Sequence, residues 1–178
     1  MRLFIAIHFT DGVKKQLLSV QNALRRQSTA GNFSRPENLH ITMVFLGEIP
    51  PGRTNAVRSV MDGACSEPFS IKMEGVGKFR GGNGDTWWVG IRHNPLLSDL
   101  HRQLADGLKG SGFTIESRPF KPHLTLGREV VLKPDANILE IESFPDISDE
   151  VRSIQLMKSE HIQGKLIYTA IHEKIFRR

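Results

Sequence analysis

The chain has 178 residues, 39% of them apolar and 24% charged, which is enough to bury an interior as one domain and too apolar for a disordered chain. Its apolar runs last only a few residues, which excludes a helical membrane span. A net charge of +5 favours a phosphate-bearing partner, but the basic residues are scattered, so charge alone names none.

The opening "MRLFIAIHFTDG" has a short apolar stretch, an early Asp11 and no small-residue cleavage site. It reads as a strand over 2–9 rather than a signal peptide. The next segment, "DGVKKQLLSVQNALRRQ", spaces Val13, Leu17, Leu18, Val20 and Leu24 as an amphipathic helix, with Thr10 or Asp11 as its N-cap. "NLHITMVFLGE" is a strand ended by Gly47 and the Ile49-Pro50-Pro51-Gly52 break, and a second helix runs over roughly 52–64. "FSIKMEGVGKFRGGNGDTWWVGI" reads as a hairpin turning through Gly81-Gly82-Asn83-Gly84-Asp85.

A third helix carries Leu96, Leu97, Leu100, Leu104 and Leu108 and stops at Gly110 and Gly112. The strand "PHLTLGREV" follows, and the tail reads as two strands around a turn at His161-Ile162-Gln163-Gly164. This alternation predicts an α+β fold with largely antiparallel sheets. No linker divides the chain, so residues 1–178 form a single domain. Cys65 is the only cysteine; it excludes an internal disulfide and a cysteine zinc cluster, and reads as a partly buried small residue. With no leader, this is the pattern of a cytoplasmic protein.

One arrangement occurs twice: a helix followed by a strand bearing His-x-Thr, first as His40 and Thr42, then as His123 and Thr125. Strand alternation puts each His/Thr pair on one face and Leu39, Ile41, Met43, or Leu124 and Leu126, on the other. The aliphatic faces can pack on helices. Two such lobes, related by a pseudo-twofold axis, would turn their polar faces into a central cleft. Two imidazoles there suit acid–base chemistry near neutral pH, and a phosphodiester needs both a base for the attacking oxygen and an acid for the leaving one. The threonine hydroxyls can donate to phosphate oxygens, and the scheme requires neither metal nor cofactor. A single His-x-Thr means no more than a half-exposed histidine; the repetition carries the argument. Zinc fits less well, because no cysteine or carboxylate accompanies either pair. His8, His93, His101, His161 and His172 read as solvated, and "GGNGD" lacks the setting of a P-loop.

The stretches "RLFIAI", "RPENLHITMVFLGE", "WWVGI", "FKPHLTLGR" and "SEHIQGKLIYTAIHEKI" resemble, in order, the two-histidine (2H) phosphoesterases, and within them the RNA 2′,3′-cyclic phosphodiesterases once described as 2′-5′ RNA ligases. The resemblance spans residues 2–175. It implies two pseudo-symmetric lobes, each an antiparallel sheet with outer helices, and hydrolysis of an RNA 2′,3′-cyclic phosphate, or a small cyclic nucleotide, to a 2′-phosphate by a monomer. By that analogy His40 protonates the departing 3′ oxygen, His123 activates water, and Thr42 and Thr125 hold the phosphate. The near-symmetric motif does not itself say which histidine is the acid. Joining a cyclic end to a 5′-hydroxyl would use the same groups, and a non-catalytic RNA-phosphate-binding module is the reading from another class.

The resemblance also singles out Arg128 as a phosphate contact and Phe45 as a base-stacking residue. Strict alternation disagrees with both: it puts Arg128 opposite Thr125, and Phe45 with Met43 on the packed face. Trp87 and Trp88 read as packing residues, and Arg35 either steers RNA or is merely exposed. Relatives often carry tryptophan where this chain has Phe33 or Ser34.

Overall fold

Strands and helices alternate through the computed structural model, which describes residues 1–177. The first half runs β1 (Arg2–His8), α1 (Asp11–Arg26), β2 (Ser28–Phe33), β3 (His40–Glu48) and α2 (Thr54–Gly63). It continues with β4 (Phe69–Phe79), β5 (Asp85–Ile91), α3 (Pro95–Gly110) and β6 (His123–Leu132). The tail holds α4 (Ile138–Glu142), β7 (Ser148–Val151), β8 (Ser153–Ile162) and β9 (Lys165–Ile175).

Among the described residues, nine strands form one curled antiparallel sheet in the order β7-β4-β5-β6-β3-β1-β8-β9, with β2 paired to β6. The two expected lobes are visible as its halves. They meet where β3 pairs β6, at the single partner pair Ile41–Leu124. In one half β1, α1 and β3 form the strand–helix–strand unit; in the other β5, α3 and β6 do.

The helical stripes behave as their spacing predicts. Val13, Leu17, Val20 and Leu24 of α1, and Leu97, Leu100, Leu104 and Leu108 of α3, are buried in one continuous core with Ile41, Val89, Leu124 and Leu126. Asn94 caps α3 by accepting from the Leu96 and Leu97 amides. Thr10 does precede α1, but its side chain makes no cap bond; its amide and hydroxyl reach the Asp149 carboxylate at 3.1 and 3.5 Å. β1 is apolar on both faces for a reason. Leu3, Ile5 and Ile7 face the helix-side core, whereas Phe4 and Ala6 join Met157 beneath Tyr168 in a second, smaller cluster.

The tail differs from the two strands expected. It holds three, because β7 pairs with β4 at one edge and β8 pairs with β1 in the other half; Arg152 is where the chain crosses between them. The last hairpin turns on Gln163 and Gly164 alone, both at positive φ (50° and 75°), so His161 and Ile162 stay in β8. Cys65 is exposed rather than partly buried, its amide held by the Gln103 side chain.

Candidate active site

His40 opens β3 and His123 opens β6, so each motif begins where a strand enters the sheet. Each imidazole is anchored the same way: Nδ1 lies 2.6 Å from the Asn38 carbonyl in one half and 2.7 Å from the Lys121 carbonyl in the other. A carbonyl only accepts, so Nδ1 carries the proton and Nε2 is left as the working edge of both rings. His40, Thr42, His123 and Thr125 line one cleft of about 1250 Å³. Thr42 Oγ1 sits 3.0 Å from His40 Nε2. With Nδ1 protonated and the ring neutral, the Thr42 hydroxyl is the donor in that bond.

Phe45 and Arg128 line the same cleft, and the reason alternation misplaced them is identical in the two strands. Opposite β1, Val44 pairs with Ile5 and Thr42 with Ala6, so β3 holds one extra residue at Met43. Opposite β5, Gly127 pairs with Trp87 and Thr125 with Trp88, so β6 holds one extra residue at Leu126. Met43 and Val44 are both buried, as are Leu126 and Gly127. The bulge reverses the alternation and brings the third residue after each threonine onto the threonine's face. Phe45 is therefore 48% exposed rather than core. Arg128 is its counterpart in the second half.

Aromatic rings frame each imidazole. Phe4 and Tyr168 lie 4.9 and 5.4 Å from His40; Phe79 and Trp88 lie 5.4 and 6.1 Å from His123. Trp87 is the packing residue expected, whereas Trp88 also flanks His123. A Cβ at Gly77 would come 2.2 Å from the Trp88 ring, so only glycine lets that ring lie down on β4.

Burial is the main force holding the His40 ring below its ordinary 6.5; the Asn38 carbonyl opposes it, and the positive charges of Arg128 and His123 add to it. His8 is not solvated as expected. It pairs with His40 across β1 and β3, with ring centroids 6.0 Å apart. Burial, then His40, lowers its pKa to about 4. The sign follows: between about pH 6.5 and 4 the unfolded chain binds a proton at His8 that the folded chain refuses, so stability falls as pH falls through that window. His8→Leu should flatten this acid limb by roughly 1–2 kcal/mol, the full shift being discounted for partial solvent access. Denaturant melts at pH 7 and 4.5 measure it, and an unchanged acid limb would refute the assignment.

His101 stacks on Phe120 at 4.0 Å, His172 meets Asp62 at 2.8 Å, and His161 stands on the cleft rim. Arg35 is committed: it donates to the Leu166 carbonyl (2.5 Å) and pairs with Glu37, tying the β2–β3 connection to β9 beside the cleft. Gln21, unremarked in the sequence, is buried in α1 and donates to the Ser34 and Leu126 carbonyls at 2.7 and 2.9 Å. Ser34 in turn donates to the Thr125 carbonyl (2.8 Å), so the second motif is held from behind. A polar residue on an otherwise aliphatic helix stripe was its only signal. Among the described residues, no group of three or more His, Cys, Asp or Glu could hold a metal ion, and no helix is long and apolar enough to cross a membrane.

Residues 13–163 match the model of the 2′-5′ RNA ligase superfamily. The chain belongs to that superfamily. Among its relatives is the RNA 2′,3′-cyclic phosphodiesterase of Archaeoglobus fulgidus, 33% identical over 164 residues, covering 89% of this chain and 91% of the relative. The enzyme of the same name from Methanothermobacter thermautotrophicus is 31% identical over 189 residues, covering 99% and 98%. Solved structures share the fold. TT0787 of Thermus thermophilus superposes with a TM-score of 0.84 at 23% identity, and Escherichia coli LigT complexed with 3′-AMP with 0.82 at 24%; each match covers 99% of this chain and 98% of the other.

Proposed function

We propose that the protein hydrolyses RNA 2′,3′-cyclic phosphate ends to 2′-phosphates, without a metal ion, using His40 and His123 as the acid–base pair. The observation that carries this reading is the pairing of two equally anchored imidazoles on one cleft, each with a threonine beside it. In the reaction a water oxygen bonds to phosphorus as the bond from phosphorus to the 3′ oxygen breaks. His123 takes the water's proton through Nε2, and His40 gives its Nε2 proton to the 3′ oxygen, leaving a 2′-phosphate and a free 3′-hydroxyl.

His40 must arrive protonated for this role, and the cleft has a means of charging it. One of the influences that lower its pKa is the positive charge of Arg128. An anionic phosphate seated beside Arg128 offsets it and raises the pKa when substrate binds. Protonation also reverses the bond to Thr42: Nε2 becomes the donor, and the Thr42 hydroxyl proton is released for a phosphate oxygen. Thr125 and Arg128 would hold the remaining oxygens, and Phe45 would stack the base.

The test incubates an oligoribonucleotide bearing a 2′,3′-cyclic end with purified protein and EDTA. The expected product carries a 2′-phosphate and a free 3′-hydroxyl. A 3′-phosphate product, no product, or activity only on adding a divalent cation would sink the proposal.

A further inference from the structure

The two carbonyls that aim the imidazoles are alike, but the backbone that carries them is not. In the first half the Asn38 carbonyl belongs to a hydrogen-bonded turn. The Asn38 and Leu39 amides donate to the Arg35 and Pro36 carbonyls at 2.9 and 3.3 Å. The Arg35 and Asn38 side chains both donate to the Leu166 carbonyl of β9. In the second half the Lys121 carbonyl lies near the end of residues 114–122, a stretch outside every helix and strand. Among the described residues, no backbone–backbone hydrogen bond holds any part of it. Arg118 pairs with Glu116, which ties the stretch only to itself. A segment so placed opens easily unless packing holds it, and the Lys121 carbonyl would then carry the His123 ring with it.

Two features stand in for the missing bonds. Phe120 and Lys121 lie between Pro119 and Pro122, and each proline restricts its own φ and the residue before it. The second feature is a stack. The Phe120 ring lies flat on the His101 ring of α3, with centroids 4.0 Å apart and planes 5° from parallel. α3 is itself pinned to the core by Leu97, Leu100, Leu104 and Leu108, so His101 offers Phe120 a rigid surface. Among the described residues, none makes a hydrogen bond or ion pair with His101, nor does His101 line the cleft. The flat face of its ring is what the fold uses.

We propose that His101 is a positioning residue for the second half of the site: by clamping Phe120 it steadies the Lys121 carbonyl, and through that carbonyl the Nε2 edge of His123. The local bond supplies the aim, and the stack keeps it still. The effect on turnover rests on the acid–base reading, but the first measurement reads the ring directly. Long-range proton–nitrogen NMR spectra at about pH 8.5, above the ordinary histidine range, should show His40 and His123 each as the Nδ1–H form. The alanine variant of each histidine assigns its signals.

His101→Leu keeps apolar bulk and helix preference but loses the flat ring. It should mix the two neutral forms of His123 and leave His40, which hangs on separate bonds, as it was; a general loosening of the fold would move both. Phe120→Leu removes the other ring of the stack and should act on His123 in the same way, so the result does not hang on one variant's folding. With a 2′,3′-cyclic end as substrate, kcat of His101→Leu should fall about 3- to 10-fold, less than the roughly 10²-fold of a 1 Å misplacement. KM should stay within about twofold. His101→Phe restores a flat ring and should recover most of the lost kcat and the single form of His123. An unchanged His123 spectrum in both leucine variants, equal changes at His40 and His123, or no recovery in His101→Phe would each overturn the proposal. Absence of turnover by the unaltered protein would instead count against the phosphodiesterase reading, and the spectra would still decide this one.

Discussion

Replacing His40 or His123 by alanine is expected to slow hydrolysis of a 2′,3′-cyclic end by about 10²–10⁴-fold, the usual contribution of one positioned acid or base. Both rings stand half-buried on the cleft wall rather than in the helix-side core, so melting temperatures should move by no more than a few degrees. The double variant should fall little below the weaker single one, because groups acting as a unit are not additive. The pH profiles carry the finer test. If His40 is the acid, kcat/KM declines on the alkaline side of a pKa below 6.5, that of the free protein. The profile of kcat declines at higher pH, because bound phosphate offsets the charge of Arg128. Coincident alkaline limbs, or a variant of either histidine that retains full activity, would contradict the mechanism.

Gly84→Ala should be the most damaging single-methyl change near the site. Gly84 has φ of 129°, and a Cβ there would lie 2.5 Å from the Glu129 carbonyl carbon and 2.8 Å from its oxygen. Neither atom can rotate away, since both are backbone. Glu129 is itself at positive φ (52°), just past the bulge in β6, with its carboxylate held by Asn32. The substitution thus combines backbone strain with overpacking, together about 2–5 kcal/mol, or roughly 5–15 °C in Tm. It presses on the part of β6 that carries Arg128, so KM should rise as well. Gly82→Ala, in the same loop with open space around it, serves as the control and should stay within about 0.5 kcal/mol. Equal melts for the two variants would show that the turn does not support the bulge.

Periodicity made most of the fold legible. The stripes of α1 and α3 and the twofold His-x-Thr pattern were enough to place two strand–helix–strand units around one cleft. What stayed hidden has physical reasons. β2 reads "STAGNF" with four exposed residues in the middle; an edge strand that buries nothing leaves no alternation to find. β7 is four residues long, and its pairing with β4 is set by distant chain, not by local pattern. Phe45 and Arg128 were visible through resemblance and misplaced by parity, because a bulge is a property of the partner strand's register. Gln21 and His8 act through what lies behind them, and a sequence does not display depth.

The two Nδ1 anchors have a wider consequence. Each imidazole of the pair is aimed by the carbonyl two residues earlier in its own chain, so its orientation is written into a tripeptide. No distant side chain supplies that acceptor. The residues around the rim can therefore change while the two imidazoles keep their aim. Ring orientation is local here and the lining of the cleft is tertiary, so the two can drift independently.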